Sequence, residues 1–232
     1  MVKLLALMAM IIDHTNKVFL SPTWPMMYAL GLIAFHLFKL IWAMNVQRTP
    51  ERLQKRVSRL WIWAVITQPV FSLAFLHHQP WWALNILFVF AGVTQLLALQ
   101  YRPGRKGMLA GLLILALMIW PLEPASYGLA GITLAISMAT LSGSCTPEVK
   151  RLAVAGIVLS LICLNGFSHI LNLPAETLLL ATLPTLVFPL VVVSFCREIC
   201  PEGRKCFMPR NFFYYAYAGH PGIIGLIQHT FA

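Results

Sequence analysis

The segment LLALMAMIIDHTNKVFL, residues 4–20, is the first of several long apolar runs in this chain. A helix rises about 1.5 Å per residue, so about 20 apolar residues cross the hydrocarbon core of a bilayer, which is about 30 Å thick. Of the 232 residues, 59% are hydrophobic and only 10% are charged, and the mean hydropathy is +0.77. The sequence therefore excludes a soluble domain and predicts an all-α polytopic membrane protein, with residues 1–232 forming a single transmembrane domain.

The predicted bundle has about nine transmembrane helices. They lie near residues 2–20, 25–45, 61–77, 82–100, 107–121, 125–142, 152–170, 175–196 and 211–230. The fifth of these runs is short and flanked by prolines, so a bundle of eight spans is the alternative.

Basic residues are distributed unevenly among the loops. The loops near 21–25, 77–81, 121–124 and 171–174 contain no Lys or Arg, whereas the other loops contain nearly all of them. Because loops rich in Lys and Arg stay in the cytoplasm, we expect the N-terminus and the basic loops to be cytoplasmic. Nine spans would then place the C-terminus outside, and eight would place it inside.

The formal net charge of +10 would suggest nucleic-acid binding in a soluble protein. Here membrane insertion explains the basic loops and no nucleic-acid motif accompanies them, so we expect no nucleic-acid partner. The same loops create a positive potential that attracts anionic membrane lipid or a polyanionic small molecule such as coenzyme A. Arg52, Arg56 and Arg59 are the candidates for binding the phosphates of that molecule.

Five ionisable side chains lie at one predicted depth, near the middle of three spans. They are Asp13, His14, His36, Lys39 and His220. A charged side chain at the bilayer centre costs about 2.5–3.5 kcal/mol, so such residues face the bundle interior and pair. Asp13, the only aspartate, could form a purely structural ion pair with Lys17 four residues later. Alternatively, the five groups line a polar cavity in which chemistry takes place.

Four short strings of the chain resemble a known family. They are IIDHTN (11–16), NILF (85–88), SYGLAG (126–131) and YAYAGH (215–220). In this order, and over essentially the whole chain, they resemble the TraX family of conjugative plasmids, and within it the TrbP branch most. That family is linked to acetylation of the N-terminus of conjugative pilin. It is distantly similar to membrane acyltransferases that use cytosolic acetyl-CoA.

The resemblance implies a multi-pass protein of the bacterial inner membrane that acts as an N-acetyltransferase. Acetyl-CoA would be the donor, conjugative pilin the acceptor and the pilus assembly machinery a further partner, and no metal is expected. Two positions in the second span depart from the family pattern, since Leu32 replaces an arginine and His36 replaces a proline. Lys39 is a candidate replacement for the missing cation.

Acetyl transfer needs a base, because an α-amine, with a pKa of about 7.7–8.0, sheds a proton as it attacks a thioester. His14 is the first candidate for this base and His220 the second. We expect Asp13 to orient an imidazole across the helix interface, and Lys39 or Lys17 to stabilise the oxyanion. The sequence does not choose between direct transfer and an acetyl-histidine relay.

The remaining candidates complete the predicted site. His36 is a further catalytic candidate, and the predicted substrate-binding residues are Lys17, Asn16, Asn85, Tyr127 and Tyr217. Two other functions fit a polar centre in a membrane: a proton-coupled transporter or flippase, and a non-catalytic chaperone for pilin maturation. No inverted repeat is visible between the two halves of the chain, which disfavours the transporter.

Overall fold

The computed structural model describes residues 2–20, 24–48, 50–100, 105–143, 146–164, 183–199 and 211–231. This part of the chain is all-helical, as predicted, and contains nine α-helices. They are α1 (Val2–Phe19), α2 (Pro25–Arg48), α3 (Leu53–Ala74), α4 (Ile86–Gln100), α5 (Arg105–Ser126), α6 (Gly128–Ser142), α7 (Pro147–Leu164), α8 (Leu183–Ile199) and α9 (Phe212–Phe231).

Several of these helices have the composition of membrane spans. Three segments of the described chain are both long and apolar enough to cross a bilayer: Leu30–Arg48, Pro50–Ala74 and Lys106–Ser126. The number of spans and the side on which the N-terminus lies stay predictions. The predicted end of the seventh span and start of the eighth fall in 165–182, outside the described residues.

The third predicted span starts too late in the sequence analysis. A 3-10 turn, Pro50–Arg52, leads directly into α3, which begins at Leu53 rather than near residue 61. Leu53, Val57 and Leu60 are buried on one face of its first two turns, and this spacing favours an amphipathic helix. Three basic residues that the prediction placed in a loop therefore lie on the helix: Lys55, Arg56 and Arg59.

The predicted loop between the fifth and sixth spans is also wrong. α5 continues to Ser126 through Pro121 and Pro124. A proline removes one intrahelical hydrogen bond, but its fixed φ is compatible with a helix, and both prolines lie close to the end of α5. The carbonyl of Pro121 accepts a hydrogen bond from the N–H of Leu84 at 2.8 Å. Only Tyr127 separates α5 from α6, and it has a positive φ of 62°.

α4 begins at Ile86, after the predicted start near residue 82, because Asn85 caps it. The Oδ1 atom of Asn85 accepts a hydrogen bond from the N–H of Leu87 at 3.0 Å. Its Nδ2 donates to the carbonyl of Ala64 at 3.1 Å and to Oε1 of Gln68 at 2.9 Å. This fully buried amide therefore ties the start of α4 to α3.

Six helices enclose the interior of the bundle. In the order α1, α2, α6, α4, α3 and α9, each contacts the next, and α9 contacts α1 again. α5 packs outside this ring against α4 and α6, α7 packs against α6, and α8 packs mainly against α2. Because the order around the ring differs from the order along the chain, residues far apart in sequence face the same interior.

Candidate active site

Two imidazoles meet inside the ring, at the contact between α1 and α9. Nδ1 of His14 lies 2.8 Å from Nε2 of His220. The two rings are stacked, with their centroids 4.9 Å apart and their planes 21° from parallel. Nδ1 of His220 lies 3.0 Å from the carbonyl oxygen of Ala216, one helical turn earlier on α9. The structure thus brings together the two histidines that the sequence analysis ranked first and second.

These contacts determine which ring nitrogens carry hydrogen in the neutral pair. A carbonyl oxygen can only accept, so Nδ1 of His220 must be its donor and Nε2 of His220 is left as an acceptor. Nδ1 of His14 must then donate to Nε2 of His220. The lone pair of His14 is therefore on Nε2, which makes His14 the base of the pair and His220 the residue that orients it.

Asp13 lies beside this pair in an ion pair of its own. Its Oδ2 accepts a hydrogen bond from Nζ of Lys17 at 2.7 Å, while its Oδ1 is buried and has no hydrogen-bond partner among the described residues. No contact between described residues joins Asp13 to either imidazole, so the structure differs from the expectation that Asp13 orients one of them. The reason is geometric, because Asp13 and His14 point about 100° apart on α1.

Gly31 on α2 creates the space that Asp13 occupies. A Cβ atom added at Gly31 would overlap the Asp13 carboxylate. The sequence analysis did not identify this role of Gly31. The available signal was a glycine in the second apolar run, which follows the run that contains the only aspartate. Glycine permits close approach between helices, so it can leave room for a side chain of the neighbouring helix.

A cavity of about 80 Å³ lies among these groups. Asp13, His14, Lys17, Tyr127 and Tyr217 all contribute to its lining. Its remaining walls are mostly apolar and include three phenylalanines of α2 and α3: Phe35, Phe38 and Phe71. Four of the predicted polar or ionisable groups and both predicted tyrosines thus belong to one neighbourhood, counting His220 through its contact with His14.

His36 and Lys39 are fully buried but do not line this cavity. Nδ1 of His36 lies 2.5 Å from the carbonyl of Leu32, and its Nε2 has no partner among the described residues. Nζ of Lys39 donates to the carbonyl of Gly131 on α6 at 2.9 Å and lies 3.8 Å from the centroid of the Phe35 ring. Both residues lie on α2, as predicted, but their side chains contact backbone carbonyls and not the histidine pair.

Asn16 also has a structural contact outside the cavity. Its Oδ1 accepts the backbone N–H of Trp24 at 2.7 Å, and its Nδ2 donates to the carbonyl of Trp24 at 3.1 Å. The side chain thereby joins α1 to the residue that precedes α2. Asn16 and the capping residue Asn85 were both predicted to bind substrate, but their amides are engaged by the protein backbone.

A second, larger cavity of about 450 Å³ lies on the side of the ring that carries the basic residues. Its lining includes five cations: Lys3, Arg52, Lys55, Arg56 and Arg59. The three arginines are those predicted to bind phosphate. Lys55 was missed, although residues 52, 55, 56 and 59 follow the i, i+3, i+4, i+7 spacing of one helical face. No Asp or Glu is among the described residues that line this cavity.

The rest of the large cavity is aromatic and apolar. Phe38, Trp42, Phe90, Phe213 and Tyr214 contribute rings to it. The guanidinium of Arg56 donates to the backbone carbonyl of Asn45, so one cation is held by α2 across the cavity. The arrangement offers cations for phosphates and aromatic surfaces for a heterocyclic base.

Comparisons with known proteins assign nearly the whole chain to one family. A family model described as TraX protein matches residues 1–228. A protein of Escherichia coli named Protein TraX is 34% identical over 230 residues, which cover 97% of this chain and 85% of that protein. Protein TraX of E. coli strain K12 is 31% identical over 229 residues, with coverage of 97% and 85%. No solved structure matches the chain.

Proposed function

Because the chain belongs to the TraX family, we propose that it is a membrane acetyltransferase that moves acetyl from acetyl-CoA to the N-terminal amine of conjugative pilin. The observation that carries this proposal is the His14–His220 pair. Its geometry leaves the lone pair of His14 on Nε2, and His14 lines a small cavity beside a much larger basic one.

The donor would bind in the basic cavity. Coenzyme A carries a diphosphate and a ribose phosphate, and five cations line a volume of about 450 Å³ that falls in the usual range of ligand pockets, about 300–1,000 Å³. Phosphates form charge-assisted hydrogen bonds with Arg and Lys. The thioester end of the donor would then point along the ring interior towards His14.

The acceptor amine would enter from the opposite end of the small cavity. Lys17, Ala125 and Tyr127 line it there, near the ends of α1 and α5 that lie away from the basic residues. If the basic end is cytoplasmic, as the charge pattern predicts, this entrance faces the periplasm. A substrate amine and a cytosolic donor would thus meet inside the bundle.

In the proposed reaction the amine attacks the thioester directly. The amine nitrogen forms a bond to the thioester carbonyl carbon, and Nε2 of His14 takes the proton that the nitrogen sheds. The carbon–sulfur bond then breaks, and the proton passes to the leaving thiolate of coenzyme A. His220 supports the charged form of His14 by accepting its Nδ1 hydrogen. Lys17 provides a cation in the cavity for the oxyanion.

The direct test uses purified protein in lipid nanodiscs with radiolabelled acetyl-CoA and a peptide of the pilin N-terminus. We expect label on the peptide from wild type and from the control His229→Gln, whose exposed side chain lies at the far end of α9. His14→Gln should lower the rate by about 10²–10⁴-fold, the usual contribution of a general base. Donor binding without transfer by wild type would instead support the chaperone. Label transfer that is insensitive to His14→Gln would contradict its role as the base.

A further inference from the structure

Three side chains lie between the basic cavity and the small cavity. Phe38 of α2, Ile86 of α4 and Tyr217 of α9 line both cavities. We call these three residues the wall. They come from three different helices of the ring, so a donor that reaches from the basic cavity to His14 would have to pass between them.

The wall is held in place by the surrounding core. Tyr217 is only 8% exposed and packs in one apolar cluster with Leu60 and Leu87, and Phe38 and Ile86 pack against the same cluster. Ile86 directly follows Asn85, whose amide is bonded to α3 and to the start of α4. Protein interiors are close-packed, so the three side chains of the wall have defined positions.

The space beyond the wall is small. An apolar cavity of about 150 Å³ holds one benzene molecule, and this cavity of about 80 Å³ is about half that size. A two-carbon acyl group and an attacking nitrogen fill such a space, and each further methylene would have to displace a packed side chain. The cavity on the other side of the wall, at about 450 Å³, imposes no such limit.

The geometry points to the wall as the device that restricts the donor to a short, two-carbon acyl thioester. This inference rests on the proposed function and adds the residues that set the acyl length. A hydrophobic pocket distinguishes two substrates whose acyl chains differ by one methylene by about 10- to 200-fold in rate. We therefore expect wild type to use propionyl-CoA at least about tenfold less well than acetyl-CoA, and butyryl-CoA less well still.

The test compares acetyl-, propionyl- and butyryl-CoA as donors for wild type and paired variants. Ile86→Ala and Phe38→Leu shorten two side chains of the wall and so enlarge the space beside it. Ile41→Ala and Phe90→Leu make the same changes at residues that line only the basic cavity. The wall variants should raise the ratio of butyryl to acetyl transfer by at least about tenfold, and the controls should leave it unchanged. Equal shifts in both sets, or equal use of all donors by wild type, would overturn the inference.

Binding separates a failure of this inference from a failure of the proposed function. Affinities of the same three donors are measured by competition, without a pilin peptide. If wild type transfers nothing but binds acetyl-CoA more tightly than butyryl-CoA, and Ile86→Ala removes that preference, the acetyltransferase proposal fails and the wall stands. If wild type shows no preference for acetyl-CoA and Ile86→Ala changes nothing, the inference about the wall is wrong. Ile86→Val, a smaller truncation, should give an intermediate preference and serves where Ile86→Ala unfolds.

Discussion

Two groups of buried ionisable residues lie at similar positions along their helices, yet only one of them lines the small cavity. His36 and Lys39 on α2 are 0% exposed, and their hydrogen bonds go to backbone carbonyls. Asp13 and His220 are each 7% exposed, but Asp13 lines the small cavity and His220 contacts His14, which also lines it. Burial is therefore shared by the two groups, and access to a cavity distinguishes them.

The residues of α2 that line the cavity are Gly31, Leu32, Ala34, Phe35 and Phe38. His36 lies one turn after Leu32, but its Nδ1 is held by the Leu32 carbonyl. Nζ of Lys39 is held by the Gly131 carbonyl of α6. The difference therefore follows from the backbone contacts of these two side chains and not from the face of α2 that carries them. A group that is costly to bury is therefore not necessarily a group that does chemistry.

The largest expected effect is a difference in acetyl transfer between variants of His14, which lines the small cavity, and His36, which does not. His14→Gln should remove most acetyl transfer, by about 10²–10⁴-fold, because it removes the base. His36→Gln makes the same chemical change outside the cavity and should keep turnover of the same order as wild type. Both rates are measured with labelled acetyl-CoA and the pilin peptide, beside the thermal stability of each variant. Equal losses would erase the distinction between the groups.

The next effect concerns the hydrogen bond between the two histidines. His220→Leu removes the acceptor that holds the His14 tautomer, and we expect a loss of about 10- to 100-fold, as for residues that orient a functional imidazole. His220→Gln retains an acceptor oxygen and should recover part of the rate. The readout is turnover together with the ¹⁵N chemical shifts of His14, which report its tautomer. Identical rates and shifts in the two variants would contradict the assignment.

Asp13 and Lys17 test whether an ion pair beside the base is only structural. Asp13→Asn leaves Lys17 without its partner and should cost on the order of 1 kcal/mol of unfolding free energy, since Lys17 is 36% exposed. Adding Lys17→Gln should recover stability but not acetyl transfer, because both charges contribute to the cavity. Thermal unfolding and turnover are measured on both singles and the double. Wild-type turnover in the double variant would make the pair structural.

Glycine positions offer a matched comparison of packing. Gly31→Ala places a methyl group on the Asp13 carboxylate and should destabilise the protein by about 1–3 kcal/mol, as overpacking does. Gly219→Ala adds the same methyl group on α9, where no atom lies within 4 Å, and should be neutral or stabilise by up to about 1 kcal/mol. Chemical denaturation in mild detergent gives both values. Equal stabilities would show that Asp13 is not confined by Gly31.

The smallest effect concerns the basic cavity. Arg59→Gln should weaken acetyl-CoA binding a few-fold at low salt and less at high salt, because salt screens charge–phosphate attraction. Lys106→Gln removes an exposed cation of α5 that does not line the cavity and serves as the control. Titration at two ionic strengths measures both. Weakening that is the same for the two variants would indicate a general charge effect instead of a site.

Parts of the site were accessible from residue types and spacing. The arginines predicted to bind phosphate lie together because residues 52, 56 and 59 follow the spacing of one helical face, and the same spacing would have identified Lys55. His14 and His220 were placed at one depth and do meet. The roles of Asn16 and Asn85 were not accessible, because an amide in an apolar span is equally suited to bind a substrate or a backbone carbonyl.

Composition and the constant rise of a helix predict the all-α class and the position of each polar group along its helix, since neither depends on a neighbour. The rotation of each helix and its place in the ring do not follow from them. In an apolar environment hydrophobicity does not choose partners, so close packing and specific hydrogen bonds do. Only the tertiary structure therefore places α9 against α1, which brings two histidines 206 residues apart to 2.8 Å, while His36 and Lys39 bond to backbone carbonyls instead.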